Sequence, residues 1–284
     1  MKDKKTVLVT GCSSGIGYAT SLVLSRNNFM TYGSVRDLSK SGKIQKIIEN
    51  EGLPLKIIHI DVNDNKSIEV AIQKILFESG RIDILVNNAG YGMFGPIEDI
   101  TVADIKEQFE TNFFGAIRLI KTIVPIMRKQ GNGIIVNISS MVGRFAVPLN
   151  AAYVSSKFAL EGFSESISYE LEEFGIKVIL IEPGVVRTDF FQNLKIKGTD
   201  SKSPYYQLME KRIGLLKTAM ENSTSSSNDV ANIILHALNS KDPVFRYIIG
   251  NDATNCIRMR KSLSDREFMK WIRDGIFHSK GFTR

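Results

Sequence analysis

Cysteine is nearly absent: Cys12 and Cys256 are the only two in 284 residues. They lie far apart and no C-x-x-C pair occurs, which excludes a disulfide scaffold and a zinc ribbon. Three histidines, His59, His236 and His278, are too scattered for a metal cluster, so no metal is expected. No apolar run approaches the ~20 residues that cross hydrocarbon. The basic start Met1–Lys5 leads only into the short run Val7–Val9, too little for a signal-peptide core. A reducing, cytoplasmic location is the expectation. Motifs for nucleic acid are also missing. The net charge of +7 (37 basic residues, 30 acidic) therefore implies no nucleic-acid partner.

The remaining composition is ordinary for a globular chain, with 43% hydrophobic and 24% charged residues. Short β-rich runs alternate with longer helical patterns. The runs are Thr6–Thr10, Phe29–Val35, Leu55–Ile60, Ile82–Asn87, Gly133–Ser139, Ile176–Ile181 and Phe245–Ile249. Several are continuously apolar, as strands covered on both faces should be. Helical patterns occupy Gly15–Asn27, Lys43–Asn50, Lys66–Ser79, Val102–Lys129, Ala152–Phe174 and Asn228–Ser240. This order predicts a Rossmann-like α/β fold. A doubly wound parallel sheet of about seven strands would lie between two helical layers, in one domain spanning 1–284. Two stretches depart from the alternation. Residues 190–227 are polar and Ser- and Lys-rich, ending in Asn222–Asn228, and read as an irregular substrate lid. Residues 257–284 carry eight Lys or Arg against three acids. They contain a helix pattern that opens on a capping box at Ser264 and Glu267 and gathers Phe268, Trp271 and Ile272 on one face. That basic helix packs on the body or on another subunit; contact with a membrane surface is the sharper alternative.

The first strand runs straight into Gly11-Cys12-Ser13-Ser14-Gly15-Ile16-Gly17, and a helix pattern follows. Glycines let a backbone approach a pyrophosphate, and a helix N-terminus offers free N–H groups and a positive dipole end. Gly11, Ser13, Ser14, Gly15, Ile16 and Gly17 therefore read as a dinucleotide cradle. The spacing is G-x-x-x-G-x-G rather than the commoner G-x-G-x-x-G. The second strand ends at Val35-Arg36 with no carboxylate at its tip. Arg36 can present a planar fork to a 2′-phosphate, which favours NADP(H) over NAD(H). Asp37 then reads as a cap for the next turn. Asp61 either accepts from an adenine amino group, with Val62 against the ring, or caps the next helix. Asn88, Ala89 and Gly90 at the fourth strand's end suit close contact with a cofactor.

Tyr153 and Lys157, four apart in a helical pattern, share a face. A phenol beside an ammonium ionises more readily and can serve as a general acid/base. Ser140 follows a buried strand, where it can polarise a substrate oxygen. Asn112, inside the Val102–Lys129 pattern, can anchor a water leading from Lys157 to solvent.

In order and spacing, the segments Thr10–Gly17, Asn87–Gly90, Tyr153–Lys157 and Pro183-Gly184, with Asp61, Asn112 and Ser140, resemble the compact, single-domain branch of the short-chain dehydrogenase/reductase family. The steroid- and retinol-type, NADP-preferring members are the most similar, at Asn88–Gly92 and Val185–Asp189. The resemblance implies Tyr153 as acid/base, Ser140 as holder of the substrate oxygen, Lys157 on the nicotinamide ribose and Asn112 as relay. It implies Pro183, Gly184, Val186 and Thr188 against the nicotinamide, and a homodimer or homotetramer through Val102–Lys129 and Ala152–Phe174. The expected reaction is NADP(H)-dependent interconversion of a hydrophobic alcohol and its carbonyl. The expected pocket walls are Met93, Phe94, Met141, Phe145, Leu149, Phe190, Phe191 and Leu194, which suit an apolar ligand. Two alternatives are a cofactor-binding regulator without turnover and a sugar-nucleotide epimerase or dehydratase. The intact Asn112, Ser140, Tyr153 and Lys157 set weighs against the first, and the glycine spacing against the second.

Overall fold

In the computed structural model, which describes residues 4–188, 190 and 193–277, the apolar runs form a seven-stranded parallel sheet. In chain order the elements begin with β1 (Thr6–Val9), α1 (Gly15–Arg26), β2 (Met30–Val35), α2 (Gly42–Glu51), β3 (Leu55–His59), α3 (Asn65–Ser79) and β4 (Ile84–Asn87). A short β5 (Met93–Phe94), α4 (Val102–Phe109), α5 (Gly115–Gln130), β6 (Gly133–Ile138), α6 (Ala151–Glu172) and β7 (Ile176–Pro183) follow. The chain continues through β8 (Lys195–Ile196), α7 (Tyr206–Glu221), α8 (Ser227–Asn239), β9 (Arg246–Ile249), α9 (Asn251–Ser262) and α10 (Asp265–Phe277). The main sheet runs β3-β2-β1-β4-β6-β7-β9, every pair parallel. Strand order reverses between β1 and β4, the switch point at which open α/β sheets bind ligands beyond the strands' carboxyl ends.

Two apolar layers sandwich the sheet. Alternate residues of each strand point to opposite faces. Leu8, Leu85 and Ile135 enter one core with α3 and α5, whereas Val7, Val9, Val86 and Val136 enter another with α1 and α8. A polar thread also crosses the buried sheet. Asn87 Nδ2 donates to Asn137 Oδ1 (2.8 Å), and Asn137 Nδ2 donates to Ser164 Oγ (2.8 Å). These bonds satisfy the Asn137 amide and the Asn87 Nδ2, leave Asn87 Oδ1 without a partner, and fix how α6 lies on the sheet.

Three features differ from the sequence expectations. The long Val102–Lys129 helix is two helices joined by a π turn at Glu110–Phe114. The 190–227 stretch is not an irregular lid throughout: β8 pairs in parallel with β5, and the 16-residue α7 occupies much of the rest. Its polar exterior and two apolar islands hid the helical period. The Ser-rich end is also ordered. Ser223 Oγ donates to Val185 O (2.5 Å), and Ser226 with Asp229 forms the capping box of α8. Finally, α10 does open on Ser264 and Glu267, but its Phe268, Ile272 and Ile276 are buried against Val142, Phe145 and Val154. Its apolar face is thus spent on the body and not available to a membrane surface. No helix among the described residues is long and apolar enough to cross a membrane.

Candidate active site

A cleft of about 1470 Å³ opens along the carboxyl ends of β1, β4, β6 and β7. At one end, Gly11 (φ +70°) and Gly15 (φ +60°) adopt left-handed backbone that favours glycine. Gly11 passes so close to the β4 end that a Cβ there would sit 3.0 Å from Ala89 Cα. Asn88 stitches the two turns together, its Nδ2 donating to Thr10 O (2.8 Å) and Gly11 O (3.1 Å). Thr10 Oγ1 in turn accepts from the N–H groups of Asn88 and Ala89. Ser14 precedes α1 without a side-chain cap, so the helix presents its first N–H groups and its positive dipole end to the cleft.

Gly11, Ser13, Ser14, Gly15, Ile16, Arg36, Asp61, Val62, Asn88, Ala89, Gly90, Pro183, Gly184, Val186 and Thr188 all line this one cleft. Gly17 does not. A Cβ at Gly17 would come 2.3 Å from Gly11 O and 2.4 Å from Asn88 Nδ2. Its place is the close packing of α1 under the turn, not the wall. Arg36 is exposed at the rim, and Asp37 beside it acts as a cap, accepting from Ser39 N (3.0 Å) and Ser39 Oγ (2.7 Å). Asp61 accepts from Asn63 N at 2.9 Å while still facing the cleft.

Asn112, Ser140, Tyr153 and Lys157 all line the same cleft. Lys157 is buried and donates from Nζ to Ile138 O, the last carbonyl of β6, at 2.7 Å. The same Nζ stands 5.6 Å from the centroid of the Tyr153 ring. Ser140 Oγ accepts from Val142 N (3.3 Å) and lies on the same cleft wall as Tyr153. Burial pushes the Tyr153 phenol up to about 12, with the neighbouring Ser140 side chain acting the other way. In the chain alone, desolvation is the dominant influence on this phenol. Burial also draws Lys157 down to about 8, against a partial offset from the Glu161 charge. Asn112 lies in the π turn, a local widening frequent at functional sites. Its Oδ1 accepts from Tyr91 N (3.1 Å) and its Nδ2 donates to Tyr91 O (2.9 Å). The side chain is thus committed to holding the Tyr91 loop.

The apolar end of the cleft is walled by Phe94, Met141, Phe145, Phe190 and Leu194, and by Leu215, Leu216, Met259, Trp271 and Ile276 from α7, α9 and α10. The Phe190 ring lies 5.9 Å from that of Tyr153. Two expected walls are corrected. Met93 is 1% exposed in a side core with Ile100 and Ala152, because alternation along β5 turns it away from Phe94. Leu149 (φ +61°) serves through its backbone, accepting from Gly95 N at 3.0 Å, and is off the wall. Phe191 lies outside the described residues.

Sequence reasoning missed several contributors. Lys40 joins Arg36 on the rim. Asp252, in the first turn of α9, accepts from Val185 N (2.7 Å), and its carboxylate lies where a Cβ on Gly184 would be. Behind Lys157, the buried Glu161 and Glu182 share Arg246, at 3.3 and 3.1 Å, and Glu182 also meets Arg144 at 3.0 Å. Burial, then the neighbouring Glu182 charge, holds the Glu161 carboxyl above its ordinary range. A glutamate four residues beyond Lys157 and another inside an apolar strand were the available signals.

Residues 5–198 match the family model described as short chain dehydrogenase. The chain is 36% identical over 253 residues to bovine retinol dehydrogenase 8, covering 85% of this chain and 80% of that one. It is 32% identical over 273 residues to mouse 17-beta-hydroxysteroid dehydrogenase type 1, covering 91% and 77%. Among solved structures, a short-chain dehydrogenase from Streptomyces avermitilis superposes with a TM-score of 0.82 at 30% identity, over 95% of this chain and 97% of that one. The fold is also that of a Burkholderia phymatum dehydrogenase in complex with NAD (TM-score 0.81, 21% identity, 94% and 96% covered). A Thermococcus sibiricus alcohol dehydrogenase complexed with 5-hydroxy-NADP shares it too (TM-score 0.72, 23% identity, 87% and 97% covered).

Proposed function

This chain belongs to the short chain dehydrogenase family of oxidoreductases, and we propose that it interconverts a hydrophobic alcohol and its carbonyl with NADP(H), using Tyr153 as general acid/base. The observation that carries this reading is the grouping of Tyr153, Ser140 and Lys157 on one wall, the Lys157 Nζ 5.6 Å from the Tyr153 ring, in a cleft whose other end is a glycine cradle. The cradle fits a dinucleotide by its own geometry: close-passing glycine backbone, an uncapped helix N-terminus and small residues at the β4 end. Gly11, Ser13, Ser14, Gly15 and Ile16 would hold the pyrophosphate. Arg36, joined by Lys40, would meet a 2′-phosphate, and the absence of a carboxylate at the β2 tip supports NADP(H). Asp61 and Val62 would face the adenine; Asn88, Ala89, Gly90, Pro183, Gly184, Val186 and Thr188 would line the nicotinamide end. When bound, the nicotinamide supplies the two-electron chemistry and, when oxidised, a positive charge.

The residues of the chain then divide the remaining work. Ser140 and Tyr153 hold the substrate oxygen. With its phenol up near 12, Tyr153 is protonated at neutral pH and ready to donate to an alkoxide, whose conjugate acid is far weaker. A protonated phenol serves carbonyl reduction. The opposite direction requires added positive charge beside the phenol. Lys157, buried and hydrogen-bonded to Ile138 O, would reach the nicotinamide ribose. Asn112 positions Tyr91 at the pocket edge. The apolar walls support a hydrophobic substrate, as do the relatives named for retinol and hydroxysteroids. Exposed Phe114, at the end of the π turn before α5, and exposed Phe158, on α6, support a homo-oligomer through these elements.

The test is a panel of apolar ketones, aldehydes and alcohols followed by nicotinamide absorbance, with NADPH and NADH in parallel. Turnover of at least one pair, faster with the phosphorylated cofactor, is expected. No turnover with any pair, or a preference for NADH, would refute the corresponding half of the proposal.

A further inference from the structure

The apolar end of the cleft contains one residue that a neutral substrate leaves unexplained. On α7 the residues Met209, Arg212, Leu215, Leu216 and Ala219 follow the helical period, and all but the fully buried Met209 face the cleft. Arg212 thus occupies a position whose neighbours one turn away are apolar. Its guanidinium lies over the Phe94 ring, 5.4 Å from the centroid. Its Nε is shut off from solvent and has no hydrogen-bond partner. Burial draws its pKa down to about 10, with no carboxylate acting to restore it. A cation taken out of water is costly unless an anion meets it. The carboxylates that line the cleft are committed elsewhere: Asp37 to Ser39, Asp61 to Asn63, Glu107 to Lys195 at 2.5 Å, and Asp252 to Val185 N. Aromatic groups line the cleft near both residues: Phe94 lies under Arg212, and the Phe190 ring, packed against Gly92, is tilted 57° to that of Tyr153.

We propose that Arg212 is a specificity-determining residue that binds an oxyanion on the substrate, so that the natural substrate is an amphipathic acid. Its carbonyl or alcohol reacts at Tyr153, and its carboxylate, sulfate or phosphate terminus, across an apolar spacer, pairs with the guanidinium. The planar fork of arginine suits such a two-oxygen group. The reading of the reacting end rests on the oxidoreductase proposed above; the anion site does not.

Unreactive ligands test the site without turnover. Decanoate, decyl sulfate and decanol are titrated into the full chain, read by the fluorescence of Trp271, the sole tryptophan, which lines the cleft. At least one anion should bind tenfold or more tighter than decanol, and which one wins identifies the head group. Arg212→Met should abolish that preference while leaving decanol affinity unchanged, and should keep or raise the melting temperature, because a part-buried cation whose Nε has no partner is gone. Arg212→Lys should retain part of the preference. Equal binding of anions and decanol by the parent chain would overturn the proposal, as would parallel loss of both in Arg212→Met or a melting temperature lowered in both variants. A second arm compares 10-oxodecanoate with its methyl ester as substrates, where the acid should have the lower KM. If neither is reduced while the binding preference persists, the oxidoreductase reading fails and the anion site stands.

Discussion

The two ends of the cleft are made of different material. At the nucleotide end the surface is largely main chain: the turns after β1 and β4, held together by Thr10 and Asn88, with an uncapped α1 beneath. At the substrate end it is side chain, contributed by α7, α9 and α10, elements far along the chain from the strands they cover. Backbone geometry recognises what every nicotinamide dinucleotide shares, whereas side chains can change one at a time and so tune the molecule that reacts. The contrast teaches where to expect tolerance: a substitution at the first end disturbs folding and binding together, and one at the second alters selectivity alone.

The strongest challenge to that division lies between the ends. Tyr153→Phe keeps the ring and loses the proton, so kcat should fall about 10²-fold or more while nucleotide affinity holds. Steady-state rates beside calorimetric titration read both, and undiminished turnover removes Tyr153 from the chemistry. Gly17→Ala probes the main-chain end. A methyl 2.3 Å from Gly11 O forces the turn and helix apart at a cost of about 2 kcal/mol, which should lower the melting temperature by roughly 4–8 °C and weaken nucleotide binding. Leu216→Ala is its counterpart, expected to change substrate KM and leave the nucleotide Kd alone; a shift in both would erase the contrast.

Arg36→Ala removes a charge-assisted contact, so NADPH should bind about tenfold more weakly and NADH nearly as before. Equal losses for the two would assign Arg36 to general electrostatics. The smallest effect concerns Lys157, held near 8 in the folded chain against an ordinary 10.5. Below pH 8 both folded and unfolded chains carry the proton, and the burial cost is felt in full. Between pH 8 and 10.5 the unfolded chain binds more protons, so this cost fades as pH rises. Lys157→Met, which also loses the bond to Ile138 O, should therefore be more stable than the parent by about 1 kcal/mol at pH 7, and the gap should narrow by pH 10. Denaturant melts at the two pH values check it.

Much of the first end was legible in the sequence because its signals are local. Seven apolar runs became the seven strands of the main sheet with boundaries shifted by a residue or two, and Gly11–Gly17 spans the turn after β1 and the first residues of α1. The reactive residues could be named for the same reason, since Tyr153 and Lys157 are one helical turn apart. What stayed hidden depends on distance through space. Nothing around Asp252 announces that it will hold the turn at Val185, 67 residues away. The helical period of α7 was masked by the polar residues on its outer side. Even Met93 and Phe94, adjacent in sequence, divide between a side core and the cleft wall, a distinction that alternation along a two-residue strand decides.

The position of α10 has a consequence for synthesis. A chain leaves the ribosome from its N-terminus, so the β1–β7 strands and the glycine turn can assemble while Trp271, Ile272 and Ile276 are still inside the exit tunnel. A nascent molecule could therefore already grip its coenzyme through the turn at Gly11, yet it would lack one side of the compartment that selects what to reduce.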